Sequence, residues 1–377
     1  MHIAHLSLAN YRNIDSAEVA LSPGLTIVHG ANAQGKSNLL EAVYLLATAR
    51  SYRAQSEREL IAWSAPHRAL AMLAAKVRRA DGFVDVRVGL QAGEGETVRK
   101  QVRVNGVPNR ASDLVGVLNA VLFSAEDLDL VYGSPQGRRR YVDVMLSQTS
   151  PAYLRALQRY QRVLTQRNAL LRNLRDGRAR EDELAYWDGA LKKEAAVILA
   201  ARHAAIQLLA PLAAQAFERL AVAGERFVLT YAPTAPTADA TTAAALSDAM
   251  QHALERTKAQ ERAMAQTVVG PHRDDIRLTL HGQEMARHAS RGQARMGALA
   301  MRLAEARFLA ERRHDAPVLL LDDILSELDP ERRLLVMAET SRYPQTLLTT
   351  ADLRLVPDAA LAGARLLRIA AGRVDPD

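Results

Sequence analysis

The chain lacks cysteine entirely. This absence excludes disulfide scaffolds, zinc sites built on cysteine and thiol catalysis, and it suits a reducing cytosol. The first residues, Met1–Leu6, lack the basic and apolar segments of a secretory signal. No apolar run has the length of a membrane span, because the Ala- and Leu-rich stretch 195–216 contains Arg202 and His203. We therefore predict a cytoplasmic protein with no membrane partner.

Size, apolar content and charge indicate the number of domains, the extent of the core and the class of partner. The 377 residues are enough for two or three domains, and a hydrophobic fraction of 49% supports a full core. The formal net charge is +7. This basic balance favours a polyanionic partner, with nucleic acid as the first candidate, although basic proteins without such a partner are common.

A phosphate-binding loop lies near the N-terminus. Residues 30–37 match the pattern G-x-x-x-x-G-K-[ST] at every fixed position. The β-branched stretch 25–28 predicts a buried strand before the loop, and the apolar spacing of 38–46 predicts a helix after it. Such a loop directs backbone N–H groups and a helix N-terminus at an anion. The predicted ATP-binding residues are Gly30, Ala31, Asn32, Ala33, Gln34, Gly35, Lys36 and Ser37.

ATP hydrolysis at such a loop also needs acidic residues from a second element of the chain. Residues 318–321 form an apolar run that ends in Asp322 and Asp323, which is typical of a buried parallel strand whose end meets the ligand crevice. We predict that Ser37 and Asp322 hold Mg²⁺, the latter through water, and that Lys36 acts on the β- and γ-phosphates. Asp323 is predicted to position or activate the attacking water. The alternative is an ordinary strand end with two solvated acids.

Two further motifs flank the acidic strand. Residues 290–293 match the S-x-G-Q signature of ABC-type ATPases and precede a helical run over 294–312, and residues 326–329 stand where that class has its D-loop. A serine hydroxyl, a glycine and a helix N-terminus suit a γ-phosphate. We assign Ser290 a catalytic role, and the predicted nucleotide-binding residues of the two motifs are Ser290, Gly292, Gln293 and Asp329.

The motifs are separated by β and helical insertions. Antiparallel strands are predicted at 3–9, 17–21, 69–78, 83–91 and 97–104. Helical runs at 151–176 and 181–222 predict an αα-hairpin rich in arginine, for which a solvated helix face and a DNA surface both stay open. The predicted domains are an N-terminal part of ATPase lobe I (1–135), a helical arm or lobe II insertion (136–265) and a C-terminal ATPase part (266–377).

These motifs together resemble the ABC/SMC class of chromosome ATPases and, within it, the RecF family of bacterial DNA replication and repair proteins. The resemblance covers most of the chain, and the short arm separates it from relatives with long coiled coils. It implies an α/β fold: an ABC-type P-loop ATPase head with antiparallel β additions and an inserted α-helical hairpin arm lobe. The stretches that carry it are 10–14, 30–42, 134–140, 270–275, 290–293 and 321–329.

The resemblance also implies a function. It predicts a cytoplasmic, ATP- and Mg²⁺-dependent DNA-binding protein of replication, recombinational repair, DNA damage and the SOS response. ATP-driven homodimerisation, with Ser290 closing on the nucleotide of a second subunit, would clamp single-stranded or gapped DNA or ss/dsDNA junctions. RecO- and RecR-type partners would assist recombinase loading. Arg12 would lie near the nucleotide, as the equivalent basic residue does in relatives.

Departures from the wider ABC pattern bear on the rate of hydrolysis. Asp323 replaces the usual glutamate, and residues 347–352 offer threonine and aspartate where many relatives have a switch histidine. Both departures favour slow hydrolysis that acts as a switch, and the predicted enzyme is a slow, DNA-stimulated ATPase. Gln136 is a candidate for the Gln-loop. The alternatives are a transporter nucleotide-binding subunit, which leaves the antiparallel strands unexplained, and an SMC-like tether, which needs long heptad arms.

A nuclease site is a further alternative, on the cluster of His272, Asp274 and Asp275. A loop that contacts the core or the nucleotide lobe accounts for these residues better, because a metal site needs convergent ligands beyond a short sequence cluster.

Overall fold

A computed structural model describes residues 1–62, 70–95, 97–221, 224–237 and 242–376, so the predicted stretches 69–78 and 181–222 lie partly outside the described residues. Its strands are β1 (His2–Tyr11), β2 (Ile14–Ala20), β3 (Gly24–His29), β4 (Leu70–Arg79), β5 (Gly82–Ala92), β6 (Val98–Val104), β7 (Val107–Asn109), β8 (Ala120–Ser124), β9 (Phe227–Ala232), β10 (Asp275–Leu280), β11 (Gln283–Glu284), β12 (Val318–Asp322), β13 (Gln345–Thr350), β14 (Arg365–Ala370) and β15 (Arg373–Pro376). Its α-helices are α1 (Lys36–Thr48), α2 (Ala111–Leu114), α3 (Asp129–Tyr132), α4 (Pro135–Thr149), α5 (Pro151–Arg175), α6 (Leu184–Leu220), α7 (Ala243–Met264), α8 (Met285–His288), α9 (Arg291–Arg313), α10 (Pro330–Thr340) and α11 (Asp358–Ala362).

The chain divides into two compact units. Unit 1 comprises Met1–Asp127, Ala216–Val222 and Arg295–Asp377, and unit 2 comprises Leu128–Gln215 and Ala223–Ala294. The sequence-based division differs for residues 266–294, which group with unit 2 rather than with the ATPase C-terminal part. The physical reason is strand pairing, because β10 forms an antiparallel ladder with β9.

Unit 1 contains a mostly parallel sheet with the strand order β15-β14-β3-β13-β12-β8. Only β15 runs antiparallel to its neighbour. The side chains from Val318 to Leu321 on β12 are fully buried, as expected of a strand covered on both faces. Because β13 lies between β3 and β12, the loop after β3 and the acids after β12 leave the same edge of the sheet one strand apart.

A second sheet of unit 1 is antiparallel, with the order β2-β1-β4-β5-β6-β7. Helix α1 contacts β8, β12 and β13 of the parallel sheet and β4 and β5 of the antiparallel sheet. Every residue from Leu39 to Thr48 is consequently buried, which is typical of a helix that is enclosed on all sides. This arrangement confirms the predicted α/β fold with antiparallel additions.

Unit 2 contains the predicted helical hairpin. The Ser150 hydroxyl caps α5 by accepting a hydrogen bond from the Tyr153 N–H at 3.1 Å. The break after α5 contains Gly177, whose φ of 69° lies in the left-handed region that favours glycine. Leu171 of α5 and Leu184 of α6 then pack in one apolar cluster, which ties the two helices together at the turn.

Several arginines of the hairpin form ion pairs within unit 2. Arg167 is 3% exposed and donates to Asp188 and Glu261, each at 2.7 Å. Arg159 binds Glu194 through two hydrogen bonds of 2.7 and 2.9 Å. Arg167 is therefore a buried structural arginine, whereas Arg159 pairs with Glu194 on a helix face where its side chain stays 49% exposed.

The helical stretch Glu181–Leu220 is long and apolar enough to cross a membrane by length and composition alone, which differs from the sequence-based expectation. The reason is that alanine and leucine outweigh its few charged residues. The core helix of a globular protein satisfies the same criterion. Here Arg202 lies within that stretch, 2% exposed, and donates two hydrogen bonds to Asp143 through Nη2 at 2.7 and 3.0 Å.

Candidate nucleotide site

The loop between β3 and α1 is shaped by close backbone contacts. Gly30 has a φ of 152°, and a Cβ at that position would lie 2.3 Å from the carbonyl oxygen of Ile369 on β14. Gly35 has a φ of 113°, and its Cβ would lie 2.7 Å from the Asn13 side chain. Both positions therefore require glycine, in agreement with the two fixed glycines of the motif.

Lys36 lies over its own loop. Its ammonium donates to the carbonyl oxygens of Gly30 at 2.8 Å and Ala31 at 2.9 Å, with Asn32 Oδ1 at 3.5 Å. Burial lowers the pKa of Lys36, while the negative charges of Asp323 and Asp322 oppose this shift. The predicted phosphate-binding cation is thus held by its own loop, and its charge interacts with Asp322 and Asp323 at the end of β12.

The predicted metal ligands are in direct contact. Ser37 donates to Asp322 Oδ1 at 2.7 Å, which joins the start of α1 to the end of β12. Thr349, at the same level of the intervening strand β13, donates to the same oxygen at 2.8 Å. Tyr52 donates to the other oxygen, Oδ2, at 2.9 Å. A hydroxyl and a carboxylate are hard oxygen donors of the kind that Mg²⁺ binds, so the residues present fit this cation.

Asp323 stands next to this carboxylate in a left-handed conformation, with a φ of 51°. Its N–H donates to Thr349 Oγ1 at 3.0 Å, and its carbonyl oxygen accepts from the Ser326 hydroxyl at 2.7 Å. Burial raises the pKa of the Asp323 carboxyl, while the charge of Lys36 lowers it. A carboxylate with a raised pKa is better suited to accept a proton, and the role of Asp323 toward the attacking water stays a prediction.

Arg12 is fixed to the helix that follows the loop. Its Nε and Nη2 donate to the two oxygens of Glu41 at 3.0 and 2.8 Å. Glu41 is fully buried on α1 and also accepts from Arg53 at 3.0 Å and from Ser51. Burial raises the pKa of Glu41, but hydrogen bonds from Arg12 and Ser51 and the charge of Arg53 outweigh it, so the pKa is lowered. The predicted role of Arg12 at a nucleotide stays a prediction.

The signature residues form a helix cap in unit 2. The Ser290 hydroxyl accepts from the Gln293 N–H at 3.2 Å, and the Gln293 side chain accepts from the Ser290 N–H at 2.9 Å. This reciprocal pair is a capping box at the start of α9. Gln293 also donates to Glu225 at 2.6 Å. Ser290 and Gly292 are exposed, so the N-terminus of α9 is open to solvent while its geometry is already set.

Asp329 caps α10 in unit 1. Its side chain accepts from the Arg332 N–H at 3.0 Å and also pairs with the Arg332 guanidinium. These hydrogen bonds lower the pKa of the Asp329 carboxyl. The predicted contact of Asp329 with nucleotide therefore stays a prediction, since its bonds here belong to its own helix. Gln136, the Gln-loop candidate, is exposed at the start of α4 in unit 2.

The stretch 270–275 is a structural junction of unit 2. His272 Nδ1 lies 2.7 Å from the Tyr160 hydroxyl, and burial lowers the pKa of His272 to about 4. Asp274 is fully buried and accepts from Tyr231 and from the Thr234 N–H and hydroxyl. In the part of the chain that the structure describes, no group of three or more His, Cys, Asp or Glu side chains is placed to hold a metal ion.

Three side chains of the site were not anticipated from the sequence: Tyr52, Thr349 and Glu41. The sequence marked 347–352 only as the place of a missing switch histidine, and the contact of Thr349 with Asp322 depends on β13 lying between β3 and β12. Tyr52 and Glu41 had no comparable local signal, since their partners are remote in sequence.

Comparisons with known proteins agree with this geometry. The family profile described as "RecF/RecN/SMC N terminal domain" matches residues 2–369. The DNA replication and repair protein RecF of Chloroflexus aurantiacus is 41% identical over 390 residues, which covers 99% of both proteins. The protein of the same name from Heliobacterium modesticaldum is 41% identical over 377 residues, again covering 99% of both. The chain belongs to the RecF family. This assignment confirms the predicted resemblance and favours DNA repair over the transporter alternative.

Solved structures extend the similarity to the whole RecF fold. The recombination mediator protein RecF-ATPrS in the RecFOR pathway superposes with a TM-score of 0.91 at 27% identity, covering 100% of this chain and 98% of that one. An Smc head domain from Pyrococcus furiosus gives a TM-score of 0.56 at 17% identity. The latter shares the fold alone. Together they confirm the ATPase-head architecture predicted for the RecF family.

Proposed function

We propose that the chain is a cytoplasmic ATP-dependent DNA-binding protein of replication and recombinational repair. ATP drives homodimerisation, the dimer clamps DNA at single-strand gaps or ss/dsDNA junctions, and slow, DNA-stimulated hydrolysis releases it. RecO- and RecR-type proteins are the proposed partners in recombinase loading. The names of the RecF relatives, and the similarity to a RecF-ATPrS structure of the RecFOR pathway, support this proposal.

The observation that carries the ATP-binding step is the contact between the phosphate loop and the end of β12. Lys36 and the N-terminus of α1 supply positive charge for the phosphates. Ser37 and Asp322, 2.7 Å apart, are the residues that would hold Mg²⁺. When bound, the cation would neutralise phosphate charge and polarise the phosphoryl oxygens. Asp323 would orient or activate water.

The exposed N-terminus of α9 supports a composite site across two subunits. Ser290 keeps its hydroxyl and the first N–H groups of α9 at the surface of unit 2, where they suit a phosphate carried by a second copy. Closure of the dimer then depends on contacts that exist only with ATP present, so ATP favours the closed state by its differential affinity.

Sedimentation with and without ATP tests this step. We expect wild type to dimerise with ATP, Lys36→Ala to lose ATP binding, and Ser290→Ala to keep ATP binding but lose dimerisation. Because Ser290→Ala also removes a cap worth about 0.5–2 kcal/mol, Thr242→Ala is the matched control. Thr242 caps α7 by accepting from the Ala245 N–H at 3.2 Å. ATP-dependent dimerisation of Ser290→Ala at wild-type affinity would contradict the composite site.

A basic face of the antiparallel sheet is the surface that we propose for DNA. Its exposed cations occupy alternate positions on β4, β5 and β6, and Asp85 is the one acid among them. Half-exposed Phe83 has Lys76 Nζ and Arg78 Cζ each 4.8 Å from its ring centroid. Such a face suits phosphate contacts without strong sequence preference. The cations are Lys76, Arg78, Arg87, Arg99 and Arg103.

Charge-matched variants separate this face from the helical arm. Arg87→Glu with Arg99→Glu reverses two charges on the sheet, and Arg155→Glu with Arg172→Glu reverses two exposed charges on α5. We expect the sheet variant to lose most affinity for gapped DNA and to show a shallower dependence of affinity on salt. The arm variant should remain close to wild type. The opposite result would move the DNA surface to the arm, and salt-independent binding would contradict phosphate contact altogether.

A further inference from the structure

The Asp322 carboxylate is held by three hydroxyl groups. An ionised carboxylate has about four acceptor positions, two on each oxygen. Ser37 and Thr349 fill the two positions of Oδ1, at 2.7 and 2.8 Å. Tyr52 fills one position of Oδ2, at 2.9 Å. One acceptor position therefore remains, and it is on the oxygen that the Tyr52 hydroxyl contacts.

The segment that presents Tyr52 is itself firmly placed. Ser51 donates to Glu41 of α1 and accepts from the Arg53 N–H at 3.0 Å. Arg53 donates to Glu41 at 3.0 Å and to Asn38 at 2.6 Å. The residues on both sides of Tyr52 are thus anchored to the helix that begins with the phosphate-binding lysine.

The ring of Tyr52 is positioned by two further contacts. It packs edge-on against Tyr44 of α1, with ring centroids 5.5 Å apart and an interplanar angle of 84°. The Arg53 guanidinium carbon lies 5.2 Å from the Tyr52 ring centroid. The Tyr52 hydroxyl is consequently fixed in place beside Asp322.

We propose that Tyr52 is a positioning residue for the metal site: its hydroxyl fixes the orientation of the Asp322 carboxylate so that the free acceptor position of Oδ2 receives hydrated Mg²⁺. This inference rests on the proposed ATP-binding function. Without the Tyr52 hydroxyl, Oδ1 of Asp322 keeps its two hydrogen bonds, but no donor fixes the position of Oδ2. Outer-shell donors of this type typically change metal affinity by about 10–100-fold.

Tyr52→Phe tests the proposal, because phenylalanine keeps the ring contacts with Tyr44 and Arg53 and removes only the hydroxyl. ATP affinity is measured by calorimetry over a series of free Mg²⁺ concentrations that begins in excess EDTA. We expect the Mg²⁺ midpoint to rise by about 10-fold or more, while ATP affinity in EDTA stays within about twofold of wild type. Tyr343→Phe, which removes another half-buried phenol of unit 1, is the matched control and should keep the wild-type midpoint.

The outcomes separate this inference from the function on which it rests. An unchanged Mg²⁺ midpoint in a Tyr52→Phe variant that binds ATP overturns the positioning role and leaves the ATP site standing. An equal loss of ATP affinity in EDTA and in Mg²⁺ also overturns it, because it reports a general structural defect. Absence of ATP binding by wild type at every Mg²⁺ concentration instead overturns the proposed function.

Discussion

Replacing Glu41 with glutamine is the most direct test of how the phosphate loop is supported. Glu41 is the buried carboxylate of α1 on which two arginines converge. Glutamine keeps the volume and one acceptor oxygen, but it places an amide N–H₂ against a guanidinium. The side chains of Arg12 and Arg53 retain 19% and 29% exposure, so water can partly hydrate them once the carboxylate is gone.

The expected cost follows from this geometry. Removing one partner of a buried ion pair typically costs about 3–5 kcal/mol. Because both guanidinium groups remain partly hydrated, we expect Glu41→Gln to lower the free energy of unfolding by about 3 kcal/mol, the lower end of this range. The pKa of Glu41 is lowered from its ordinary value of 4.5. Its stabilisation is therefore complete above that value and is lost as pH falls through the lower pKa of the folded state.

Urea denaturation followed by circular dichroism measures this cost, and hydrogen exchange of the α1 amides locates it. The matched control is Glu18→Gln on β2, which alters an exposed pair with His5 and should cost less than about 0.5 kcal/mol. Below about pH 4.5 the difference between wild type and Glu41→Gln should shrink, because Glu41 of the unfolded chain then binds a proton that the folded chain binds only at lower pH. A cost for Glu41→Gln no larger than that of the control would refute the role given to the buried charge.

Two further predictions concern unit 1. Burial raises the pKa of Glu305 on α9 to about 7, although Arg302 opposes the shift. The folded chain therefore holds a proton that it loses as pH rises through about 7. As a result, the free energy of unfolding should fall by on the order of 1 kcal/mol from pH 6 to 8. Glu305→Gln should remove that slope in urea titrations, and an unchanged slope would assign it to another group. Gly372 has a φ of 74°, and a Cβ at that position would lie 1.9 Å from the Asn13 carbonyl oxygen. Gly282 has a similar φ of 78°, but a Cβ there would have no atom within 4 Å. Gly372→Ala should therefore lower the melting temperature by more than Gly282→Ala does. Equal melting temperatures for the two variants would contradict this.

Local patterns were sufficient to predict the parts of the site that lie on continuous elements. The spacing of Gly30, Gly35 and Lys36 requires a strand, a tight loop and a helix, and the apolar run before Asp322 requires a buried strand. Both motifs end at the same edge of any parallel sheet. The sequence therefore predicted that Ser37 and Asp322 serve one Mg²⁺ site, while their direct hydrogen bond depends on the strand order β3-β13-β12.

Non-local pairing explains what could not be predicted. Thr349 acquires its role from the strand order β3-β13-β12, which no short window contains. The Arg12–Glu41 pair joins the turn after β1 to α1, across 29 positions of sequence. Ser290 and Gln293 show a different difficulty, since S-x-G-Q is also a capping-box pattern and both interpretations describe the same atoms. The grouping of 266–294 with unit 2 likewise depends on a strand partner far away in the chain.

The complete enclosure of α1 has a practical consequence for following nucleotide binding by spectroscopy. No position from Leu39 to Thr48 offers a surface for a dye, because each is buried. Helix α10 differs, since Leu334 is 57% exposed. The chain has no cysteine, so a single cysteine introduced at Leu334 would carry the only thiol-directed label. Such a reporter would sit on α10 and leave the enclosed part of α1 unmodified.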